Sequence, residues 1–445
     1  MKIEPTKLST PGKHAIVPLS NRKLDPSTMI SGNPELGIIP KYWDRTIFAN
    51  ALYEAEVLKR GGVTLRSSHY LFCAETGTKR VSVFGLCPGE AASRKNAYTG
   101  NKSLAKFFFE RDGLNSPKGR SFSVSQTNKA IEFAEGIGFP IVFKPVGGHG
   151  GHGIVLDIQD SAELKEIIDA SDGKRFLLEK FFVGTDHRFF VLNGKAIAVW
   201  QRTPANVTGD GKSTIRELVK NKNIEKAFTF SQLKLNDESL KTLKKAGYTP
   251  DSIPDEGTLV FLNHKENLTQ GGDAVQMIDD VDPSYLRIAE DIALSIPNST
   301  HHAVDIMLED SSVPATKDNW SVIETNSRPD ILGGQYPDKG KPIPLSALIV
   351  EGYLKDRLDL GAPVEGEIVV TFRLFHAENF SKLDTVLEKI KACTDLKVLE
   401  RSKESSEIET LLVQAEPEAI SMLSIYMFHP EVQKGHHLIE CTPMA

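Results

Sequence analysis

The sequence predicts a mixed α/β (α+β) fold, and three of its patterns support that prediction. Segments with strand-like and helix-like periodicity alternate along most of the chain. The stretch FPIVFKPVGGHGGHGIVLDI, residues 139–158, has two apolar, β-branched runs on either side of a glycine-rich loop. Residues 367–441 have the element order βαββαβ, which is ferredoxin-like. With 445 residues, the chain is long enough for about two to four structural units.

Residues 1–100 are predicted to form a small N-terminal α/β domain. Residues 1–40 are rich in Pro, Ser, Asn and Gly without a clear period, which predicts an extended arm on the surface. Residues 44–60 place apolar side chains on one helical face and are followed by Gly61 and Gly62, which stop the helix. Three short β-like runs follow, at 63–66, 69–74 and 80–84.

The middle of the chain carries local signals for individual helices and strands. Asn193 and Gly194 form the preferred type I′ turn pair between two strand-like runs, which predicts a hairpin. Thr214 and Glu217 form a capping box at the start of a helix. Residues 222–256 are Lys-rich and weakly periodic, and we expect a surface insertion there. Further helices are predicted at 102–111, at 125–135, from Ser161 and from Pro283.

The composition argues against several classes of function. Lys and Arg number 53, and Asp and Glu number 59, so the net charge of -6 argues against general affinity for nucleic acid or anionic membranes. No run approaches the ~18 apolar residues that a membrane-spanning helix needs, and the N-terminal segment has no apolar signal region. We therefore expect a cytoplasmic protein with neither a nucleic-acid nor a membrane partner.

The glycine-rich loop within residues 139–158 has the composition of a phosphate-binding loop. Glycine has no Cβ, so its backbone amide approaches an anion closely, and Lys144 before the loop supplies positive charge. Gly148, Gly150 and Gly153 satisfy the dinucleotide fingerprint G-x-G-x-x-G, but that fingerprint needs a helix after it. Here the strand-like IVLDI follows. The pattern therefore favours two strands with a loop that covers phosphates, and a hairpin tip without a ligand is the alternative.

Two later segments, HAVDIMLED and WSVIETNSRP, supply candidate metal ligands. Asp305 lies within the first predicted strand, whereas Glu324 and Asn326 are two residues apart in the second and so point to the same face. Oxygen ligands that converge from neighbouring strands suit Mg²⁺, which also takes phosphate oxygens. Acidic strand ends that only reach solvent are the alternative, but a phosphate loop in the same chain favours the metal site.

Four motifs in order, FKPVGGHGGHG, LLEKFFVGTDHR, VDIM and VIETNSRP, resemble the ATP-grasp superfamily of carboxylate-amine ligases over about residues 100–350. Within it, QRTPANVTGDGKSTIRELV and NHKENLTQGGDAV are similar to the ligase portion of cyanophycin synthetase and of bifunctional glutathione synthetases. The resemblance implies two α/β lobes that clasp ATP: a small lobe with a glycine-rich lid, 101–185, and a large lobe with the metal site, 186–362. Residues 363–445 then form the C-terminal module, which carries no obvious chemistry.

The resemblance also implies which residues bind the nucleotide. Lys106 and Lys144 match the two lysines that the family uses for ATP, and Asp186 matches the acid that binds the ribose hydroxyls. The hinge that holds adenine is matched by Glu179, Lys180, Phe181 and Phe182. The lid glycines are Gly148, Gly150, Gly151 and Gly153.

Catalytic and metal-binding residues follow from the same resemblance. Arg202 and Arg328 match arginines that neutralise the transferred phosphate and the acyl phosphate, a role that suits an always-charged guanidinium. Lys144 belongs with them because it reaches the transferred phosphate. The metal ligands are matched by Asp305, Glu324 and Asn326.

The implied reaction is ATP-dependent activation of a carboxylate. The implied cofactors are ATP and two Mg²⁺ ions, which Mn²⁺ can replace. The γ-phosphoryl group passes to the carboxylate, and an amine attacks the acyl phosphate to form an amide, with release of ADP and phosphate. The implied partners are small-molecule carboxylate and amine substrates, an amino acid or a short peptide, and a homo-oligomer is left open.

The substrates themselves are not named by the sequence. The polar, glycine-bearing loops 209–214 and 264–272 are expected to face them, and Arg66 is placed by analogy at the carboxylate donor. Two other functions are kept as alternatives: an enzyme that modifies side chains of a ribosomal peptide, and a nucleotide-binding sensor without ligase activity. The full set of lysines and metal ligands argues against the sensor, because binding alone does not need it.

Overall fold

The computed structural model describes residues 45–88, 98–99, 102–146, 153–171, 173–226, 232–297, 301–376, 383–428 and 438–444. Helices and four β-sheets are mixed along these ranges, which confirms the predicted α/β class. None of the helices in these ranges combines the length and the apolar character needed to cross a bilayer.

The longer helices are Arg45–Leu58, Lys102–Arg111, Thr127–Ile137, Ser161–Ala170, Ile215–Glu225, Asp237–Lys245, Pro283–Ser295, Leu383–Cys393 and Pro417–Tyr426. Shorter helical segments are Val124–Gln126, Leu268–Gln270, Leu332–Gln335, Leu345–Ile349, Val350–Leu354 and Lys355–Leu358.

The strands, in chain order, are β1 (Val63–Arg66), β2 (Leu71–Thr76), β3 (Lys79–Phe84), β4 (Cys87–Pro88), β5 (Gly119–Ser123), β6 (Ile141–Pro145), β7 (Val155–Ile158), β8 (Arg175–Lys180), β9 (Thr185–Leu192), β10 (Lys195–Thr203), β11 (Asn206–Thr208), β12 (Leu259–Phe261), β13 (Asp273–Gln276), β14 (His301–Leu308), β15 (Trp320–Asn326), β16 (Ile368–Phe375), β17 (Lys397–Lys403), β18 (Ile408–Ala415) and β19 (Leu438–Pro443).

A four-stranded antiparallel sheet in the order β5-β8-β6-β7 contains the two strands that flank the glycine-rich loop. Strands β6 and β7 lie before and after the glycine-rich stretch, as the sequence predicted, whereas residues 147–152 between them lie outside the described residues. The sheet buries Phe143 and Phe176, whose rings stack at 4.9 Å, against helices Thr127–Ile137 and Ser161–Ala170. Asp160 caps the second helix by accepting from two main-chain amides.

A five-stranded antiparallel sheet in the order β13-β10-β9-β14-β15 carries the second group of predicted site residues. The β9-β10 hairpin turns at Asn193 and Gly194, whose φ angles of 49° and 77° match the predicted type I′ turn. One face of the sheet packs on helix Pro283–Ser295. The other face is apolar at one end, where β10 and β13 pack on the short helix Leu332–Gln335, and charged at the other.

The segment between β10 and β13 has a small core of its own. Strands β11 and β12 pair in a two-stranded sheet, and Val207, Ile215 and Val260 lie together beneath it. Residues 222–256, where we expect a surface insertion, contain helix Asp237–Lys245, which buries Leu243 in the same small core.

The N-terminal strands and the C-terminal module share one eight-stranded sheet, in the order β17-β18-β16-β19-β1-β2-β3-β4. Within it, the four C-terminal strands and their two helices have the predicted βαββαβ order. Thr64 of β1 pairs with Cys441 of β19, so hydrogen bonds connect the module to the N-terminal strands. The division of the chain into four domains stays a prediction.

Arg66 lies inside this joint unit and is fully buried. Its guanidinium donates to Glu54 at 2.6 Å, to Asn50 at 2.9 Å and to Ser424 of the C-terminal module at 3.0 Å. Its placement at a carboxylate substrate was therefore wrong, because its donors are used inside the protein. Arg66 instead ties the N-terminal helix to the C-terminal module.

Candidate functional site

A row of side chains crosses the five-stranded sheet at its charged end. Arg188 of β9 is directly opposite Asp305 of β14, which is directly opposite Glu324 of β15. Directly opposed residues of antiparallel strands project from the same face. Asn326 is two residues beyond Glu324 and so shares that face. The three predicted metal ligands are thus on one surface of the sheet.

Asp305 is held by two arginines. Arg188 donates to both of its carboxylate oxygens at 2.7 Å, and Arg202 donates to Oδ2 at 3.0 Å. Burial alone raises the pKa of this carboxyl, but the two guanidinium groups outweigh that effect and lower its pKa to about 2. Asp305 is therefore an anion at neutral pH.

Asp186 and Glu266 are two further carboxylates beside Arg202. Asp186 forms an ion pair with Arg202. Burial is the largest influence on Asp186, and although Arg202 opposes it, repulsion from Asp305 adds to it, so the pKa rises to about 6. Burial and then Asp186 raise the pKa of Glu266 to about 7, and the main-chain amide of Asp186 donates to it. Both carboxyls therefore change charge closer to neutral pH than ordinary carboxyls do.

Glu324 and Asn326 are the more accessible members of the predicted metal set. The Glu324 carboxylate is 3.3 Å from Lys102 Nζ and accepts from Asn326 Nδ2 at 3.3 Å, and its side chain is 32% exposed. Among the described residues, no three His, Cys, Asp or Glu side chains converge as a metal cluster. Two carboxylates and one amide oxygen on one face nevertheless fit Mg²⁺ in donor type. Because both carboxylate oxygens of Asp305 already accept hydrogen bonds from arginine, Glu324 and Asn326 are the more available metal ligands.

Glu179 of β8 holds the two predicted nucleotide lysines. Its Oε2 is 2.5 Å from Lys144 Nζ and its Oε1 is 3.4 Å from Lys106 Nζ. Lys106 also donates to the carbonyl of Pro117. Burial raises the pKa of Glu179, but Lys144 and then Lys106 outweigh it, so the pKa lies below the ordinary value. The pair of ammonium groups is thus held in place by one buried anion.

One cleft contains residues from both sheets. Lys144 and Glu179 line it from the four-stranded sheet, and Glu324 lines it from the five-stranded sheet. Lys102 and Lys106 line it from helix Lys102–Arg111, which packs with the five-stranded sheet. The structure therefore brings the predicted phosphate-binding lysines to the same cavity as a predicted metal ligand.

Hydrogen bonds to main-chain carbonyls fix the predicted hinge. Lys180 Nζ donates to the carbonyls of Gly138 and Phe139 at 3.1 and 2.9 Å, and the Phe181 amide donates to Pro140 at 3.1 Å. Phe181 and Phe182 are both half-buried. The hinge strand is therefore fixed to the loop that leads into β6.

Of the predicted lid glycines, Gly153 is within the described residues. Its φ is 72°, and a Cβ there would be 2.8 Å from Pro145 Cγ, so both conformation and space favour glycine. Gly148, Gly150 and Gly151 lie outside the described residues, and their role stays a prediction.

Arg328 lies two residues after Asn326, just beyond the end of β15. Its side chain is exposed, and its Cζ lies 5.6 Å from the ring centroid of Phe84 in the N-terminal segment. Neighbouring Asp330 forms an ion pair with Arg45, also from the N-terminal segment. The N-terminal segment thus forms one border of the region around Arg328.

Sequence reasoning missed Lys102, Arg188 and Glu266. A signal existed for the first two: Lys102 is four residues before Lys106 and so shares its helix face, and Arg188 is two residues after Asp186 and so shares its strand face. Glu266 lies in a loop without regular periodicity, and only its place in 264–272, which was expected to face substrates, pointed to it.

Comparison with known proteins finds relatives over the part of the chain that contains this cleft. Residues 101–232 match the family described as the carbamoyl-phosphate synthase L chain, ATP binding domain. The cyanophycin synthetase of Trichormus variabilis is 30% identical over 260 residues, which are 56% of this chain and 28% of that protein. The glutathione biosynthesis bifunctional protein GshAB of Mannheimia succiniciproducens is 33% identical over 258 residues, 54% of this chain and 33% of that protein.

A solved structure agrees with these relatives. The bifunctional glutathione synthetase from Pasteurella multocida superposes with a TM-score of 0.52 and 27% identity, over 65% of this chain and 40% of that chain. The similarity to these two kinds of protein, predicted from the motifs, is confirmed. The chain spans at most about a third of the length of the cyanophycin synthetase and the GshAB protein that it matches.

Proposed function

We propose that this chain is an ATP-dependent carboxylate-amine ligase that forms an amide and releases ADP and phosphate. The match of residues 101–232 to an ATP binding domain and the likeness to a bifunctional glutathione synthetase support the proposal. One observation carries the proposal: Lys144 and Glu179 of one sheet line the same cleft as Glu324 of the other sheet and Lys106 of helix Lys102–Arg111. Phosphoryl transfer needs fixed cations around phosphate and carboxylates for a metal, and this cleft has both.

In this proposal Lys144 of the four-stranded sheet and Lys106 of helix Lys102–Arg111 bind the nucleotide phosphates. Lys144 and Lys106 are already fixed by Glu179, so their ammonium groups lose little conformational freedom when phosphate arrives. Phe181 and Phe182 offer apolar contact to adenine at the hinge. Asp186 is the candidate for the ribose hydroxyls.

Glu324 and Asn326 would hold Mg²⁺, with Asp305 behind them. When bound, the metal would neutralise phosphate charge that the lysines do not reach. Arg188 and Arg202 keep the Asp305 carboxylate in one orientation through three hydrogen bonds. This preorganisation means that no side chain has to be reoriented when charge develops.

The carboxylate and the amine meet near Arg202 and Arg328 in this proposal. Arg202 is adjacent to the acidic group Asp186, Glu266 and Asp305, and Arg328 is exposed at the border with the N-terminal segment. A carboxylate that accepts the γ-phosphoryl group becomes an acyl phosphate, and the two guanidinium groups neutralise it. The amine then displaces phosphate. Exclusion of water protects the acyl phosphate from hydrolysis.

The test is a screen for ADP and phosphate release over pairs of carboxylic acids and amines, free amino acids and short peptides included. We expect release that depends on both partners, and loss of that release in Lys144→Ala and Glu324→Ala. Lys165→Ala, which removes an exposed lysine from a surface pair with Asp169, is the control and should keep full activity. Full activity in either site variant would refute the site, and ATP turnover that never depends on a substrate pair would favour the sensor.

A further inference from the structure

The region around Arg328 is bordered by the N-terminal segment, whose role in the reaction is open. The guanidinium of Arg328 lies over the Phe84 ring, with 5.6 Å between Cζ and the ring centroid. Two residues later, Asp330 is paired with Arg45. Both partners come from residues 45–88, so this segment fixes the conformation of the chain after β15.

Phe84 is itself held by a rigid support. The turn that follows it contains Gly85 with φ 58°, and the Gly85 amide donates to the Tyr70 carbonyl at 2.7 Å. The buried amide of Asn50 donates to the Gly85 carbonyl at 3.2 Å and accepts from Arg66 at 2.9 Å. The ring therefore projects from the buried hydrogen-bond network of the N-terminal unit, and not from an isolated loop tip.

Phe84 is an exposed aromatic residue at the end of β3. The side chain is 46% exposed although its strand neighbour Val83 is fully buried. Exposing a large aromatic surface to water is unfavourable. A guanidinium within about 6 Å of the ring face is attracted by the ring quadrupole. The contact with Arg328 is thus a specific use for a ring in this position.

We propose that Phe84 is a positioning residue that holds the Arg328 guanidinium toward the transferred phosphoryl group. This inference rests on the proposed function, in which Arg328 neutralises that group. An exposed arginine has many rotamers, and fixing it before the substrate binds reduces the entropy lost on binding. Through Phe84, the N-terminal unit thereby orients a residue that contacts the transferred phosphoryl group, without itself touching the substrate.

The test uses MgADP and aluminium fluoride, which together imitate a phosphoryl group in transfer. We expect Phe84→Ala to raise the Kd of aluminium fluoride, measured at saturating MgADP, about two- to fivefold. The Kd of MgADP alone should not change. Phe84→Tyr keeps an aromatic face and should restore the wild-type value. Phe375→Ala is the matched control, because Arg373 lies over that ring at 5.2 Å in the C-terminal module, and it should change neither constant.

A double-mutant cycle separates positioning from a general structural effect. In an Arg328→Ala background, Phe84→Ala should cause no further loss, because its action passes through Arg328. An unchanged Kd in Phe84→Ala, or a loss of equal size in both backgrounds, would overturn the inference. Wild-type protein that fails to bind MgADP would overturn the proposed function as well, whereas wild-type binding with a silent Phe84→Ala variant would overturn only the role of Phe84.

Discussion

Replacement of Glu179 by glutamine should leave two buried ammonium groups without their shared counter-ion. Glu179 is 2.5 Å from Lys144 and 3.4 Å from Lys106, and the three side chains are between 6% and 11% exposed. Removing one partner of a buried ion pair costs about 3–5 kcal/mol, because the remaining charge stays desolvated. We expect the free energy of unfolding of Glu179→Gln to fall by that amount.

Urea unfolding at pH 7, followed by far-UV circular dichroism, measures the loss. Asp169→Asn is the control: it removes a carboxylate from the pair with Lys165, in which both side chains are 57% exposed, so we expect a loss below about 0.5 kcal/mol. The double variant Glu179→Gln/Lys144→Met should lose less than the sum of its single variants, since one unpaired charge is gone. A Glu179→Gln variant as stable as wild type, or strictly additive losses, would refute the reasoning.

The pH dependence of the same variant has a defined sign. The two lysines hold the pKa of Glu179 below its ordinary value. The stabilisation is therefore fully present above the ordinary carboxyl pKa of about 4.3 and is lost as the pH falls through the lower pKa of the folded protein. The difference between wild type and Glu179→Gln should be constant from pH 7 to about pH 5 and should shrink below that.

Two further predictions concern other buried charges. Burial raises the pKa of Asp186 to about 6, so its contribution to stability is present below its unfolded pKa of about 4 and is lost as the pH rises through about 6. In urea titrations, wild type should therefore lose stability relative to Asp186→Asn between pH 4.5 and pH 7.5. An equal difference between the two proteins at both pH values would contradict this. Glu54→Gln leaves the fully buried Arg66 without its carboxylate. We therefore expect the free energy of unfolding, measured in urea, to fall by about 3–5 kcal/mol. A fall below about 1 kcal/mol would show that the pair does not stabilise the fold.

Local chemistry explains which features were predictable from the sequence. The turn at Asn193 and Gly194 follows from the preference of these residues for positive φ, and the strands around the glycine-rich loop follow from their apolar runs. The common face of Glu324 and Asn326 follows from the period of two in a strand. These inferences needed no knowledge of tertiary contacts.

Long-range pairing explains what the sequence did not reveal. Arg188 meets Asp305 across 117 residues, because β9 lies beside β14, and no local pattern specifies that neighbour. Arg66 was misplaced for the same reason: a charged residue in a short strand is usually exposed, but here β19 and helix Pro417–Tyr426 cover it. Glu266 belongs to a loop whose course is set by the rest of the fold.

The pairing of β1 with β19 has a consequence for synthesis. Residues 63–66 leave the ribosome well before residues 438–443 are translated, an interval on the order of tens of seconds at typical elongation rates. During that time the edge of β1 that β19 will cover is unpaired and open to other strands. The two sheets that line the proposed nucleotide cleft do not depend on β19, since their strands lie between residues 119 and 326. All strands of the two sheets beside the proposed cleft are therefore synthesised before β19, which completes the sheet that contains Phe84.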